Sequence, residues 1–206
     1  TAILRARTGH HFAGYKAPTL MRRIERRMGL VGMSDMSAYI GYLRDHREEP
    51  AALANDLMIN VTGFFRDPEA WEALRTAVIG PMVERQHPEQ PIRCWAAACA
   101  SGEEAFTLAI LIAEEAERVK KALEVRVFAT DTASGALALA RAGVYPVGIE
   151  GNLSQERLER WFEKEENAYR VRKEIRDMVV FAPQDALRDP PFSRLDVCTC
   201  RNLLIY

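Results

Sequence analysis

Residues Pro91–Glu115 read PIRCWAAACASGEEAFTLAILIAEE: an apolar strand, a turn of small residues with one glycine, and a helix that opens on two glutamates. A strand, turn and helix in that order place the turn at the carboxyl end of the strand, where open α/β sheets receive ligands. A helix N-terminus carries about half a positive charge and several unpaired N–H groups, so turns that bind phosphate leave it bare and add glycines. Here Glu103 and Glu104 occupy the first turn. A pyrophosphate would meet two carboxylates, so the expected ligand carries an ammonium or sulfonium group. For Glu104 taken alone, stabilisation of the helix dipole by about 0.3–1 kcal/mol is a sufficient explanation.

Downstream the rhythm continues as strand, helix, strand. VRVFAT ends at Asp131, 29 positions after Gly102, the length of one helix plus one strand. An acid ending the second strand can accept hydrogen bonds from both hydroxyls of a ribose, or it can cap the next helix. A nicotinamide dehydrogenase is disfavoured because no GxGxxG follows the first strand. MVVFAP and RLDVCTC supply two more strands, which with right-handed crossovers make a parallel sheet of four. Residues 143–178 break the pattern with turn residues, a short helix around Gln155 to Phe162 and an extended YRVRKEI, and read as an inserted subdomain. LDVCTC would remain a bare apolar edge, which natural sheets avoid, so the chain reads as a fragment truncated at its C-terminus.

Upstream, residues 1–85 show helical periodicity and form an expected all-helical domain with a linker helix. Pro18 precedes LMRRIERRMGL, in which Leu20, Met21, Ile24 and Met28 make an apolar stripe and Gly29 is the expected C-cap. Ser34 or Ser37 would start the next helix, and further helices cover about Pro50 to Met58 and Pro68 to Arg85. The cluster QHPEQP, Gln86–Pro91, marks the boundary to a second domain at 86–206.

With 206 residues, 48% of them hydrophobic, the chain can bury one substantial core beside a smaller helical unit. No apolar run reaches the roughly 18 residues that span a bilayer and no signal-peptide pattern is present, so a cytoplasmic location without membrane insertion is expected. Cys94, Cys99, Cys198 and Cys200 form no CxxC pair or Cys/His cluster; they read as reduced core thiols, with no metal site. Net charge is −1, yet residues 1–47 hold nine Lys/Arg against three Asp/Glu. Within them Arg22, Arg23, Arg26 and Arg27 make a basic helix face. A solvated surface is the ordinary explanation. As a docking face it suits an acidic protein helix better than nucleic acid, for which no motif is present.

Two further clusters carry chemistry. In INVTGFFRDP, Ile59–Pro68, Asn60 and Thr62 can bond a ligand's polar edge, the two phenylalanines exclude water, and Arg66 offers a planar fork to a carboxylate. Alternatively the phenylalanines plug the core and Arg66 pairs with Asp67. In CRNLLIY, Cys200–Tyr206, Arg201 and Asn202 follow the fourth strand at the sheet's ligand edge, and Tyr206 comes one helical turn later.

Taken together, GYKAPTLMRRIERRM, INVTGFFRDP, CWAAACASGEEAFTLA, FATD, ARAGVYP and DPPFSRLDVCTCRNLLIY resemble the CheR family of chemotaxis-receptor glutamate O-methyltransferases over almost the whole chain. The resemblance implies an N-terminal helical domain and a Rossmann-like, S-adenosyl-L-methionine-dependent methyltransferase sheet with a small inserted β-subdomain. It implies that S-adenosyl-L-homocysteine is the product. Asn60, Thr62, Arg66, Glu104, Asp131, Arg201 and Asn202 match cofactor-pocket positions, and Ala98 in the small-residue turn is counted with them. Arg66 and Tyr206 match the residues proposed to assist transfer, and the arginine-rich second helix matches the one thought to meet the receptor's methylated helices. Where the family often has Asn-Leu in a cofactor-contacting loop, this chain has Asp185 and Ala186, which leaves open a catalytically weak module that only binds cofactor or receptor. FEKEENA, between Trp161 and Tyr169, lacks the glycine-flanked insertion of family members that grip a receptor's C-terminal pentapeptide, so no such tether is expected. The wording of DPPFSRLD and LMRRIERRM is most like CheR domains fused to a CheB-type methylesterase and to sensor kinase modules.

Overall fold

The structure, a computed structural model, describes residues 2–8, 12, 17–57, 62–186, 188–201 and 203. It divides into two compact units, Thr1–Ile59 and Asn60–Arg201.

The first unit holds α1 (Ala2–Thr8), α2 (Ala17–Leu30), α3 (Met36–Asp45) and α4 (Glu49–Leu57). The short α4 is its centre and packs on the other three. Leu4, Leu20, Met28, Tyr39, Leu43, Leu53 and Leu57 fill the interior, while Met21 lies outside it. Helix α2 runs through Gly29, and the chain turns at Gly32, whose φ of 72° needs no Cβ. Neither Ser34 nor Ser37 starts α3. Asp35 does, its carboxylate accepting the Ala38 N–H at 2.7 Å.

Successive helical residues lie about 100° apart, and this splits the arginine cluster. Arg27 donates to both oxygens of Glu49 at 2.9 Å and to Asp56 at 3.4 Å, and Arg23 donates to the Asp56 carbonyl at 2.6 Å. Glu49, only 6% exposed, also accepts the Tyr39 hydroxyl at 2.7 Å. Arg22 and Arg26 alone of the four are exposed. The expected four-arginine docking face is thus two arginines wide, because α4 takes up the other pair.

The second unit opens with α5 (Pro68–Leu74), a π turn over Arg75–Ile79 and α6 (Gly80–Arg85). Pro81 can donate no hydrogen bond, and the turn widens just ahead of it, with the Gly80 N–H reaching back to the Arg75 carbonyl. Trp71, Ile79 and Val83 belong to the main core. Residues 60–85 therefore group with the sheet rather than with the helical unit, ahead of the boundary expected at Gln86–Pro91.

The remainder is β1 (Ile92–Ala97), α7 (Glu103–Arg118), β2 (Val125–Asp131), α8 (Ser134–Ala142), β3 (Val144–Pro146), a 3-10 turn (Val147–Asn152), α9 (Gln155–Trp161), β4 (Phe162–Lys164), β5 (Ala168–Val171), α10 (Lys173–Arg176), β6 (Val179–Pro183) and β7 (Val197–Thr199). The four strands β6-β2-β1-β7 are all parallel, with Ile92 opposite Val125, Val127 opposite Val179 and Cys94 opposite Val197. Helix α7 is buried without a break from Glu104 to Ala113, as an all-round apolar helix must be. The insertion between α8 and β6 is a small antiparallel sheet, β3-β5-β4. Of the expected extended YRVRKEI only YRV lies in a strand, β5; Lys173–Arg176 is a single helical turn.

Cys94 and Cys99 are buried, and burial pushes the Cys94 thiol up to about 12. Cys198 on β7 and Cys200 just after it are exposed, so the core-thiol reading fails for these two. Strand alternation is the reason: Val197 and Thr199 face inward and Cys198 outward.

Candidate functional site

Five of the expected ligand residues lie at the carboxyl ends of the four parallel strands. Ala98 comes after β1, Asp131 ends β2, Asp185 and Ala186 follow β6, and Arg201 follows β7. Strand order reverses direction at β1, with β2 on one side and β7 on the other. That switch point opens a crevice at the carboxyl edge, the place where open α/β sheets hold ligands. Asn60, Asn202 and Tyr206 lie outside the described residues.

The turn after β1 is strained. Ala98 has φ 57°, Ala100 φ 48° and Gly102 φ 94°. Left-handed alanines are disfavoured by about 1–3 kcal/mol each and persist only where the surroundings impose them. Several bonds do so here. The Cys99 N–H donates to the Thr130 carbonyl at 2.9 Å, the Ala100 N–H to Asp131 Oδ2 at 2.8 Å, and the Gly102 N–H to the Cys99 carbonyl at 2.9 Å. The Tyr145 hydroxyl donates to the Ser101 carbonyl at 2.7 Å. Asp131 accepts the Ala133 N–H on its other oxygen at 2.8 Å. It does not cap α8, whose N-cap is Ala133. Each carboxylate oxygen has two acceptor sites, so Asp131 keeps capacity for a ligand's hydroxyls.

Glu104 is 9% exposed, and its Oε1 is buried without a hydrogen-bond partner among the described residues. Burial raises its pKa above the ordinary carboxylate range, opposed by the Thr199 hydroxyl, by the charge and main chain of Arg201 and by the charge of Arg66. Neighbouring Glu103 is raised by burial too, and its Oε2 accepts the Ser101 hydroxyl at 2.8 Å. A buried carboxylate oxygen left without a donor is one that a ligand's ammonium can satisfy.

Phe64 and Phe65 are both buried, Phe64 edge-on to Tyr145 and Phe162 at 4.9 and 5.2 Å. Thus the phenylalanines do plug the core. Asp67 starts α5 beside Pro68 from a left-handed backbone with no capping bond of its own. Its carboxylate binds Arg201 at 2.7 Å instead. Arg201 also donates to the Arg66 carbonyl at 2.8 Å and lies 4.9 Å over the Trp71 ring. Its guanidinium therefore ties the end of β7 to the Arg66–Trp71 segment rather than standing open to a ligand.

Thr62 and Arg66 also line a cleft of about 600 Å³ with Trp71, Glu72, Asn152 and Arg157. None of Ala98, Glu104, Asp131 or Asp185 borders it. Beside Asp131, the Gln184 N–H reaches the Asp131 carbonyl at 3.1 Å, and the Asp185 N–H donates to Asp189 at 2.8 Å. Sequence reasoning missed Thr199, which faces Glu104, and Tyr145, whose ring and hydroxyl reach three parts of the site. Alternation along β7 points to the first; nothing local points to the second. Among the described residues no group of three or more His, Cys, Asp or Glu is arranged to hold a metal ion.

An all-helical unit ahead of a sheet whose ligand edge carries a buried acid with one unpartnered oxygen agrees with the similarity of the chain to known proteins. Residues 60–206 match the family described as CheR methyltransferase, SAM binding domain, and residues 1–58 match its all-alpha domain. The chain belongs to the CheR methyltransferase family. It is 31% identical over 215 residues to the chemotaxis protein methyltransferase of Escherichia coli, covering 99% of this chain and 71% of that one. It is 30% identical over 206 residues to chemotaxis protein methyltransferase 2 of Vibrio cholerae, covering 97% and 71%. An uncharacterized 104.1 kDa protein of Rhodobacter capsulatus is 42% identical over 196 residues, and the chain spans 21% of its length. S-adenosyl-L-methionine is the cofactor of this CheR domain. The residues present fit it: Glu104 offers an unpartnered buried oxygen to an ammonium, and Asp131 offers acceptor capacity at the end of β2.

Proposed function

We propose that the protein methylates glutamate side chains on the cytoplasmic helices of chemotaxis receptors, giving glutamate 5-methyl esters and S-adenosyl-L-homocysteine. The observation that carries this reading is the buried Glu104 carboxylate at the carboxyl edge of the sheet, whose Oε1 has no hydrogen-bond partner among the described residues, with the charge of Arg66 acting on it. When bound, the cofactor supplies an electrophilic methyl group on a sulfonium. A glutamate side chain has a pKa of about 4.3, so the nucleophile is already ionised at neutral pH and no general base is needed. The protein's work is alignment and exclusion of water. Arg66 steers the incoming carboxylate with its fork, Glu104 holds the ammonium, and Asp131 accepts the ribose hydroxyls. Arg201 keeps the Arg66–Trp71 segment in place. Asn60, Thr62 and Asn202 are assigned to the cofactor, and Tyr206 to the transferring end.

Exposed Arg22 and Arg26 are the proposed contacts for an acidic receptor helix, and the reaction is placed in the cytoplasm with those helices. No helix among the described residues is long and apolar enough to cross a membrane. The similarity to one stretch of a 104.1 kDa protein supports a setting within a larger signalling chain. The test is methyl incorporation from labelled cofactor into receptor helices, released as methanol in alkali. Label that resists alkali, or that enters RNA or a metabolite instead, overturns the assignment. Cofactor binding by calorimetry with no incorporation would make this a binding module.

A further inference from the structure

The strained turn Ala98–Gly102 is held by bonds from β2, by a bond of its own, and by one that reaches it from another sheet. Thr130 and Asp131 supply the first group, and the Gly102 N–H closes the turn on the Cys99 carbonyl. The last is the Tyr145 hydroxyl, which reaches the Ser101 carbonyl at 2.7 Å from strand β3 of the small antiparallel sheet. Tyr145 is 4% exposed, and its ring stands edge-on to Phe64 at 4.9 Å and to Phe106 at 6.3 Å. One of those rings belongs to the loop that carries Arg66 and the other to α7, so the hydroxyl has little freedom to leave. Ser101 is gripped twice, since its own hydroxyl donates to Glu103 at 2.8 Å, one residue ahead of Glu104. Burial, with the charge of Glu103 adding to it, raises the Tyr145 hydroxyl above its ordinary value, so it remains a donor at any working pH.

We infer that Tyr145 is a positioning residue for the cofactor, holding the Ala98–Gly102 turn and the first turn of α7 in their receiving shape through the Ser101 carbonyl. The small sheet is then a brace for the cofactor edge of the large one. This deepens the function proposed above and rests on it for the identity of the ligand.

The structure supplies its own control. Tyr169 lies directly opposite Tyr145 in the β3–β5 register, and its hydroxyl donates at 2.6 Å to Glu150, away from the turn. The experiment compares Tyr145→Phe with Tyr169→Phe in the full chain. In ligand-free protein, hydrogen exchange at the amides of residues 98–104 is expected to quicken by about 3- to 10-fold in Tyr145→Phe, the worth of one hydrogen bond, and to stay within about twofold in Tyr169→Phe. Calorimetric affinity for S-adenosyl-L-homocysteine is expected to weaken by about the same factor in the first variant only. At saturating cofactor kcat is expected to be unchanged while KM for the cofactor rises, because Tyr145 touches no reacting atom. Equal exchange in both variants, or equal affinity loss in both, overturns the inference. A wild-type protein that binds no S-adenosyl compound sinks the proposed function instead, and the exchange contrast still decides whether Tyr145 holds the turn.

Discussion

Replacing Glu104 with glutamine separates its two explanations by the sign of what happens to the ligand-free protein. If the carboxylate were there to complement the α7 dipole, its loss would lower stability by about 0.3–1 kcal/mol. The structure argues the reverse. Burial is the leading influence on Glu104 and raises its pKa, while one of its oxygens has no donor among the described residues. A carboxylate whose folded pKa exceeds its unfolded one destabilises the fold at neutral pH, and the penalty fades as pH falls through the folded value. Glutamine removes the penalty, so the ligand-free variant is expected to melt at higher temperature. Binding moves the other way. A charge-assisted hydrogen bond of about 1.5–3 kcal/mol to the ligand's ammonium is lost, which weakens affinity by about 10- to 150-fold. S-adenosyl-L-methionine and S-adenosyl-L-homocysteine share the ammonium but not the sulfonium, so an equal loss for both assigns Glu104 to the ammonium. In the wild type the same affinity is expected to fall as pH drops through the raised pKa. Thermal unfolding and calorimetry read both quantities. A variant that melts lower and binds both compounds as tightly as wild type would refute the reasoning.

Gly102→Ala is expected to lose about 1–3 kcal/mol in urea unfolding, since φ is 94° and a Cβ would sit 2.9 Å from Ala140 Cβ and 3.0 Å from Phe181 Cζ. Among the arginines of α2, Arg22→Glu with Arg26→Glu should slow receptor methylation while stability and cofactor affinity hold. Arg27→Ala should instead cost about 1.5–3 kcal/mol of stability, because it leaves the buried Glu49 without its bidentate partner. Arg27 is also the leading cause that holds the Glu49 pKa below its ordinary range. That contribution is present above the unfolded carboxylate value near 4.3 and lost as pH falls through the folded one. Acid titration followed by circular dichroism should therefore show a loss of helix stability below about pH 4 that is flatter in Glu49→Gln.

The large elements were legible because their patterns are long. Helix α7 shows itself through an unbroken apolar run with acids at its start, and the parallel sheet through strands spaced by helices. Strands β3 and β4 have three residues each, too few for alternation to register. Pairing with β5 makes them strands. The unit boundary was misplaced for a related reason: Pro68–Arg85 is helical in pattern, but Trp71, Ile79 and Val83 are core residues of the sheet's unit. Helical content names an element, and only its apolar contacts name the unit to which it belongs.

The site divides along the same line. Glu104 and Asp131 could be singled out from the sequence because each stands at a helix's start or a strand's end. The pairing of Asp67 with Arg201 was not legible, because the two lie 134 residues apart. The turn itself was hidden by its alanines, since the sequence signal for a left-handed backbone is glycine. Glycine at 98 and 100 would adopt these angles without strain, but it would also leave the ligand-free turn free to adopt others. Alanine narrows the choice to the shape that the bonds from Thr130, Asp131 and Tyr145 impose and the right-handed shapes to which it relaxes when they let go. A turn built this way is held in shape only as well as its distant partners hold it. Its fidelity to the cofactor is therefore set in part by Tyr145, which is outside the ligand's assigned contacts and stands on a sheet whose strands were the hardest to see.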